Sequence, residues 1–323
     1  MNNEHNIYDI FSRLTPNKGL DGCFQVEQIH PRLPHKIGIS DEDYPLIFVE
    51  CQDDKLSTDI NLEMFKVHFN RVCNLSDGKN TLAKKYTIIE LRSKNEDFQK
   101  YFFEVVLLVL LTLDPYPLVC DLKKEVGKLI SLFTTKTQLS KDVVKGLWAE
   151  LFVIHESKNP SYLIQSWHIS PEDKYDFNDG IDKLEVKSTN TDDRIHHFAI
   201  EQLHPNEGSD LLIASVILTT SGIGMNIFDL LDGICSNISI ADASKLHQVV
   251  MQTIGIHIDS AKVMTFDYAY AKSNYKKYNY LDIPSISLDA VPSLVTSVHF
   301  ASCLKNIQEV DTKKMNNKLF RAL

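Results

Sequence analysis

The sequence predicts an α/β protein. A mixed sheet flanked by helices occupies the middle of the chain, with a β-rich region before it and a smaller α+β region after it. Three observations predict this. Residues 174–178 and 182–189 read as two strands joined at Asn178-Asp179-Gly180, where Asn and Asp tolerate left-handed backbone angles and Gly adopts them freely. Residues 140–155 carry Val144, Leu147, Trp148, Leu151 and His155 at helical spacing along one face. Leu211 to Thr220 is a near-continuous apolar run with β-branched members, the pattern of a strand buried on both faces.

Taken in order, Ile7, Ile10, Phe11 and Leu14 are spaced for a short helix. Between 23 and 95, short β-branched and aromatic runs (24–26, 36–39, 45–49 and 86–91) alternate with Asp, Asn, Gly and Pro clusters, which predicts an antiparallel β-region. Asn95-Glu96-Asp97 opens a helix to Leu113, and two prolines in 114–117 stop it because neither continues the hydrogen-bond ladder. A second helix covers 119–133. The polar stretch 134–139 is the expected connection, giving regions 1–135, 136–236 and 237–323. Ser140 is an expected N-cap, with Asp142 favourable in the first turn. Trp167-His168-Ile169 reads as the first strand of the central sheet, and Phe198 to Leu203 as a short strand or helix. Gly222-Ile223-Gly224 reads as a turn, and 226–234 and 243–254 as helices. Strands are expected again at 263–270, 278–283 and 295–304. The tail from Lys305 is polar, with Lys313, Lys314, Lys318 and Arg321, and is expected to fray.

Composition narrows the function. Hydrophobic residues at 43% and charged residues at 24% suit a globular protein, and 323 residues suffice for a sizeable core. A net charge of −9 argues against a general nucleic-acid coat protein and leaves room for a nuclease with local phosphate contacts, aided by a partner. The six cysteines form no C-x-x-C pair and none has a His at zinc spacing, so they read as buried small residues in a reducing cytoplasm. No basic segment followed by an apolar one opens the chain, and the run from Val105 to Leu113 is too short to span a bilayer. The expected location is cytoplasmic, with no membrane partner.

Chemistry concentrates in the strand-turn-strand. Leu184, Val186 and Ser188 point to one face of their strand, Glu185 and Lys187 to the other. A carboxylate and an ammonium therefore share a face beside Asp176 of the preceding strand. This set suits metal-dependent phosphodiester hydrolysis: two carboxylates hold Mg²⁺ (Mn²⁺ being the alternative ion) against a phosphate, and the Lys orients the attacking water. Asp173, Asp179 and Asp182 compete with Asp176. Asp176 is preferred because Tyr175 and Phe177 flank it, an unfavourable setting for a lone acid without a partner or ion. On a helical wheel Glu150 lies about 100° from the centre of the apolar stripe, at its rim, as a second metal or water ligand or as a salt-bridge partner of Lys145 or Lys187. Gln202, next to Glu201, follows Lys187 by a short interval. Arg194 and His197 are candidate phosphate contacts, although adjacent His196 and His197 face apart on a strand and rarely chelate one ion. The interleaved Tyr268, Tyr270, Tyr275, Lys276, Lys277, Tyr278 and Tyr280 fit base stacking or, more commonly, a half-buried strand.

These residues resemble the PD-(D/E)XK nuclease superfamily, the fold of many restriction endonucleases. Tyr175-Asp176 stands where the motif has Pro-Asp, Glu185-Val186-Lys187 matches its E-x-K half, and Gly146 to Leu151 resembles its acidic helix. His197 to Pro205 is similar to a bacterial family of PD-(D/E)XK motif proteins encoded with phage-defence genes. The resemblance implies a restriction-endonuclease-like mixed sheet, with Asp176, Glu185 and Glu150 as metal ligands, Lys187 as the fourth catalytic residue and Gln202 as a candidate contact to the scissile phosphate. It also implies DNA as substrate, ATPase-type proteins of a defence system as partners, and a homodimer as an assembly. The contrasting expectation is a catalytically inactive subunit that contacts DNA or serves as a scaffold.

Overall fold

Short polar side chains open the longer helices. Asn95 accepts a hydrogen bond from the Phe98 amide at 2.8 Å, Ser140 from Val143 at 3.2 Å, Asn159 from Tyr162 at 3.1 Å and Ser239 from Asp242 at 3.1 Å. Each cap satisfies an amide that has no carbonyl four residues earlier. The computed structural model describes residues 7–16, 23–55, 57–62, 64–77, 81–134, 139–168, 173–255 and 257–323, with side chains of 131–134 excepted. Residues 1–6, Ile169 of the expected first strand and residues 135–138 of the expected connection lie outside these.

The chain divides into two units, Met1–Lys136 and Thr137–Leu323. In the first, α1 (Ile7–Phe11) is followed by β1 (Cys23–Gln28), β2 (Lys36–Ile39), β3 (Pro45–Val49), β4 (Ile60–Asn61), β5 (Phe65–Ser76) and β6 (Thr81–Leu91). They form a sheet in the order β1-β2-β3-β6-β5-β4, antiparallel at every step, and a further parallel pairing of β1 with β5 closes it on itself. Val26, Leu46, Phe48 and Tyr86 fill one of its cores. Two helices follow, α2 (Glu96–Thr112) and α3 (Val119–Thr134). The α2 helix buries Phe98, Phe102, Val106 and Leu110 among others, as its apolar sequence requires.

The second unit begins with α4 (Lys141–Glu156) and α5 (Pro160–Ser166). Next come β7 (Phe177–Asn178), β8 (Lys183–Thr189), β9 (Ile195–Ala199), a 3₁₀ turn (Ile200–Leu203), β10 (Leu211–Ile217) and β11 (Thr220–Met225). Then follow α6 (Ile227–Cys235), α7 (Ile240–Ile254), α8 (Ile258–Lys262), α9 (Tyr268–Ser273), β12 (Lys276–Asn279), β13 (His299–Cys303) and α10 (Lys318–Ala322). The central sheet runs β12-β10-β8-β7. β10 lies parallel to β8, from Leu211 level with Lys183 to Ile217 level with Thr189, and both edge strands are antiparallel. Every residue of β10 is buried, in line with its unbroken apolar run. β9 and β13 pair as a separate ribbon. The α4 helix is enclosed on more sides than an amphipathic stripe requires: Ala149, Phe152, Val153 and Ile154 are buried along with Val144, Leu147, Trp148 and Leu151. Trp148 stacks on Phe152 and donates to the Met225 carbonyl at 2.9 Å.

Six expectations are corrected. The strand expected from Trp167 is, among the described residues, a single bridge from Trp167 to Phe177. Of the cysteines expected to be buried, Cys73 is, while Cys120 and Cys303 are exposed. The stretch 263–270 is not a strand. Only Phe266 bridges, to Thr220 and Met225, and Asp267 then caps α9 by accepting from the Tyr270 amide. Tyr268 packs edge-on against Phe152 and its hydroxyl donates to Glu156, which holds the segment helical. Gly222 to Gly224 belongs to β11 rather than a turn. The strand expected at 278–283 ends at Asn279 and continues as a 3₁₀ turn, Tyr280–Asp282. Finally, the tail docks instead of fraying. Leu319 and Phe320 are fully buried, and the Asn317 amide donates to Asp182 at 2.9 Å and Asp210 at 3.0 Å. Among the described residues no helix is long and apolar enough to cross a membrane.

Gly224 is required by proximity. A Cβ there would lie 2.3 Å from the Phe266 carbonyl oxygen, a backbone atom that has little freedom to move. Gly224→Ala is expected to destabilise the protein by about 1–3 kcal/mol, a fall in Tm of roughly 2–10 °C. A thermal melt matching the wild type would contradict the placement of Phe266.

Candidate active site

The turn after β7 sets the site. Asn178 accepts from the Gly180 amide at 2.9 Å, Asp179 accepts from Ile181 at 3.0 Å and Asp182 at 2.7 Å, and Gly180 takes φ of 95°. This fixes the antiparallel register Phe177 to Leu184 and Asn178 to Lys183. One step further along the same register, Asp176 comes level with Glu185. The Asp176 carboxylate also accepts from the Val186 amide at 2.6 Å, and its carbonyl accepts from the His168 amide at 2.8 Å. The same turn employs two of the competing acids: Asp179 in its backbone and the Tyr162 hydroxyl at 2.8 Å, Asp182 on Asn317. Asp173 is exposed.

Glu185 and Lys187 share a face of β8, as the two-residue period requires. The Lys187 ammonium lies 2.7 Å from Glu185 Oε1. Gln202 locks the pair: its Nε2 donates to Glu185 Oε1 at 2.6 Å, and its Oε1 accepts from Lys187 at 3.1 Å and from the Ala199 amide at 3.1 Å. Gln202 thus touches the two motif residues rather than standing apart from them. Glu185 is 3% exposed, and its Oε2 is buried with no hydrogen-bond partner among the described residues.

From α4, Glu150 reaches the same place. Its Oε2 accepts from the Trp167 indole N–H at 2.6 Å and lies 3.2 Å from His168 Nε2. Neither salt bridge considered for Glu150 forms: Lys145 pairs with Asp142 at 3.0 Å and Lys187 with Glu185. Ligand atoms of Glu150, His168 and Asp176 lie within 4.8 Å of one another. His168 escaped the sequence reading. Its only signal was its position beside Trp167, which makes a single β-bridge to Phe177, and a single His carries no metal spacing.

Electrostatics follow from enclosure. Burial, then the neighbouring Glu185 and Glu150 carboxylates, push the Asp176 carboxyl well above the usual range, against the opposing Val186 amide and Lys187 ammonium. Burial likewise raises Glu185, with Lys187 acting against it. Three acids therefore share one ammonium. A buried acceptor without a donor and a surplus of carboxylate fit a divalent cation with oxygen ligands.

The remaining candidates separate. Arg194 is buried at a left-handed φ of 49°. Its guanidinium donates to the Ser215 carbonyl at 3.2 Å, the Ser215 hydroxyl at 2.9 Å and the Asn274 carbonyl. It braces the sheet from inside and offers no phosphate contact at the surface. His196 is also buried, on Ser215 at 2.8 Å, and burial lowers its pKa to about 3. His197 points the other way and is exposed. It lines a cavity of about 360 Å³ that also involves Lys174, Glu201, Gln202 and His299. The tyrosines divide: Tyr275 and Tyr278 are enclosed, and the Tyr270 hydroxyl reaches Asp192.

The chain belongs to the family described as "Putative PD-(D/E)XK family member, (DUF4420)", whose model matches residues 11–305. No curated protein and no solved structure matches it.

The raised carboxyls make a signed pH prediction. Between the ordinary carboxylate range and the raised native value of Asp176, the folded state binds more protons than the unfolded chain, so stability without metal falls as pH rises through that window. A divalent ion displaces those protons, so its stabilisation grows over the same window. Thermal melts with and without Mn²⁺ should diverge more at pH 8 than at pH 5.5. Asp176→Asn should raise the metal-free Tm at pH 8, by about 2–4 °C for each kcal/mol relieved, and should weaken the metal response. An Asn variant with wild-type pH dependence would refute the assignment.

Proposed function

We propose that the chain is a metal-dependent endodeoxyribonuclease. The observation that carries the reading is the convergence of Asp176 from the bend before β7, Glu185 from β8 and Glu150 from α4, with the Lys187 ammonium 2.7 Å from Glu185. Membership of a PD-(D/E)XK family supports it, since that superfamily is composed largely of nucleases. Asp176, Glu185 and Glu150 would hold Mg²⁺ or Mn²⁺. Bound there, the ion would offset charge on the scissile phosphate and acidify a water.

The protein's own groups then have distinct tasks. Lys187 uses two of its three N–H bonds on Glu185 and Gln202, which fixes its direction and leaves the third for the attacking water or a phosphoryl oxygen. Gln202 keeps Glu185 and Lys187 in one plane of contact. Trp167 anchors Glu150 through its indole N–H. The net charge of −9 opposes tight unaided binding to DNA, which favours work beside a partner; the resemblance to proteins encoded with phage-defence genes is what suggests subunits of such a system. Exposed His197 at the cavity beside Gln202 is the remaining candidate for a phosphate contact.

The test is nicking of supercoiled plasmid by the purified chain in Mg²⁺ or Mn²⁺. Lys187→Ala is expected to reduce cleavage by about 100-fold or more with an unchanged circular dichroism spectrum. Cleavage retained by that variant would overturn the role of Lys187. DNA left intact by the wild type in both ions would favour a DNA-contacting or scaffolding subunit.

A further inference from the structure

We infer that His168 is a ligand of the bound ion, and that its imidazole makes the site select Mn²⁺ over Mg²⁺. The inference deepens the proposed function and rests on it for the use of the ion. It assigns a fourth protein donor and a metal preference.

Three observations carry it. The ligand atoms of Glu150, His168 and Asp176 lie within 4.8 Å of one another, with Nε2 of His168 3.2 Å from Glu150 Oε2. These two atoms share a hydrogen bond in the structure; neighbouring ligands of an octahedral ion at about 2.1 Å stand about 3 Å apart, so an ion in place of that proton needs little movement of either group. His168 is also placed by its backbone. Its amide donates to the Asp176 carbonyl at 2.8 Å, and the preceding residue, Trp167, bridges antiparallel to Phe177. The imidazole and the Asp176 carboxylate therefore come from paired segments and move together. Independently, the nine-tenths-buried Glu185 has, among the described residues, an oxygen with no hydrogen-bond donor, and its carboxylate acts on Asp176.

Selectivity follows from donor type. Mg²⁺ is hard, keeps oxygen ligands and sheds water reluctantly. Imidazole suits the first-row transition ions, and Mn²⁺ also accepts carboxylates. Two or three carboxylates with one imidazole therefore favour Mn²⁺.

The measurement uses the full chain without DNA. Mn²⁺ is titrated and followed by electron paramagnetic resonance, Mg²⁺ is measured by competition, and electron spin echo envelope modulation of the Mn²⁺ adduct reports bound nitrogen. The wild type should show nitrogen coupling. His168→Asn should lose that coupling and bind Mn²⁺ about tenfold or more weakly, with a smaller change for Mg²⁺. His168→Asp, which restores an oxygen donor, should bind both ions with the Mn²⁺ preference reduced. Absence of nitrogen coupling in the wild type, which needs no variant to fold, would overturn the inference, as would an unchanged Mn²⁺ to Mg²⁺ ratio in His168→Asn. DNA cutting without nitrogen coupling sinks this inference and leaves the nuclease reading in place. Nitrogen-coupled Mn²⁺ on a chain that cuts no DNA does the reverse.

Discussion

Carboxylates gathered in a largely enclosed cluster repel one another, and among the described residues Lys187 is the ammonium that answers Asp176 and Glu185, while Glu150 leans on Trp167 and His168. A fold tolerates such a surplus only when hydrogen bonds fix the geometry, when protons remain bound, or when a cation arrives. The first appears in the arrangement: the Val186 amide, Gln202 and the Trp167 indole hold the oxygens. The raised carboxyls lean toward the second, and the proposed ion would supply the third. A core freed of chemical demand would replace these groups with apolar side chains of similar volume at little loss.

The scaffold around the cluster can be followed from that requirement. β8 carries Glu185 and Lys187, and it is held on both sides, by β10 in parallel and β7 in antiparallel pairing. Its entry is pinned by the C-terminal segment, where one Asn317 amide bridges Asp182 and Asp210. The segment that presents His168 is held by Lys245, whose ammonium donates to the Gln165 and Trp167 carbonyls at 2.7 and 3.1 Å. Beneath the sheet's far end Arg194 spends its donors on Ser215 and Asn274. Arg194, Asp179 and Asp182 are thus committed to the frame, and Asp176, Glu185, Glu150 and Lys187 to the site, while Asp173 stays exposed.

What could be read from sequence was what local rules govern. Period-two alternation placed Glu185 and Lys187 together, the Asn-Asp-Gly turn placed Asp176 beside them, and the apolar run 211–220 gave the central strand. The helix wheel put Glu150 at the edge of the buried face, where it lies. The misses share a cause: the deciding contact is distant in sequence. His168 matters because a strand bridge brings it to Asp176. Arg194 turned inward because Ser215 and Asn274 await it. The tail from Lys305 hid Leu319 and Phe320 among lysines, and its partners Asp182, Asp210 and the Lys158 amide are distant in sequence. At 263–270 the β-branched and aromatic composition suggested a strand, but the cap at Asp267 and the Tyr268 contacts with Phe152 and Glu156 prevailed.

The most direct measurement is an anomalous difference map from crystals soaked in Mn²⁺. The account requires one strong peak within bonding distance of the Asp176 carboxylate, with Glu150 and Glu185 turned toward it and Lys187 still beside Glu185. A peak elsewhere, or carboxylates directed away from any shared position, would contradict it.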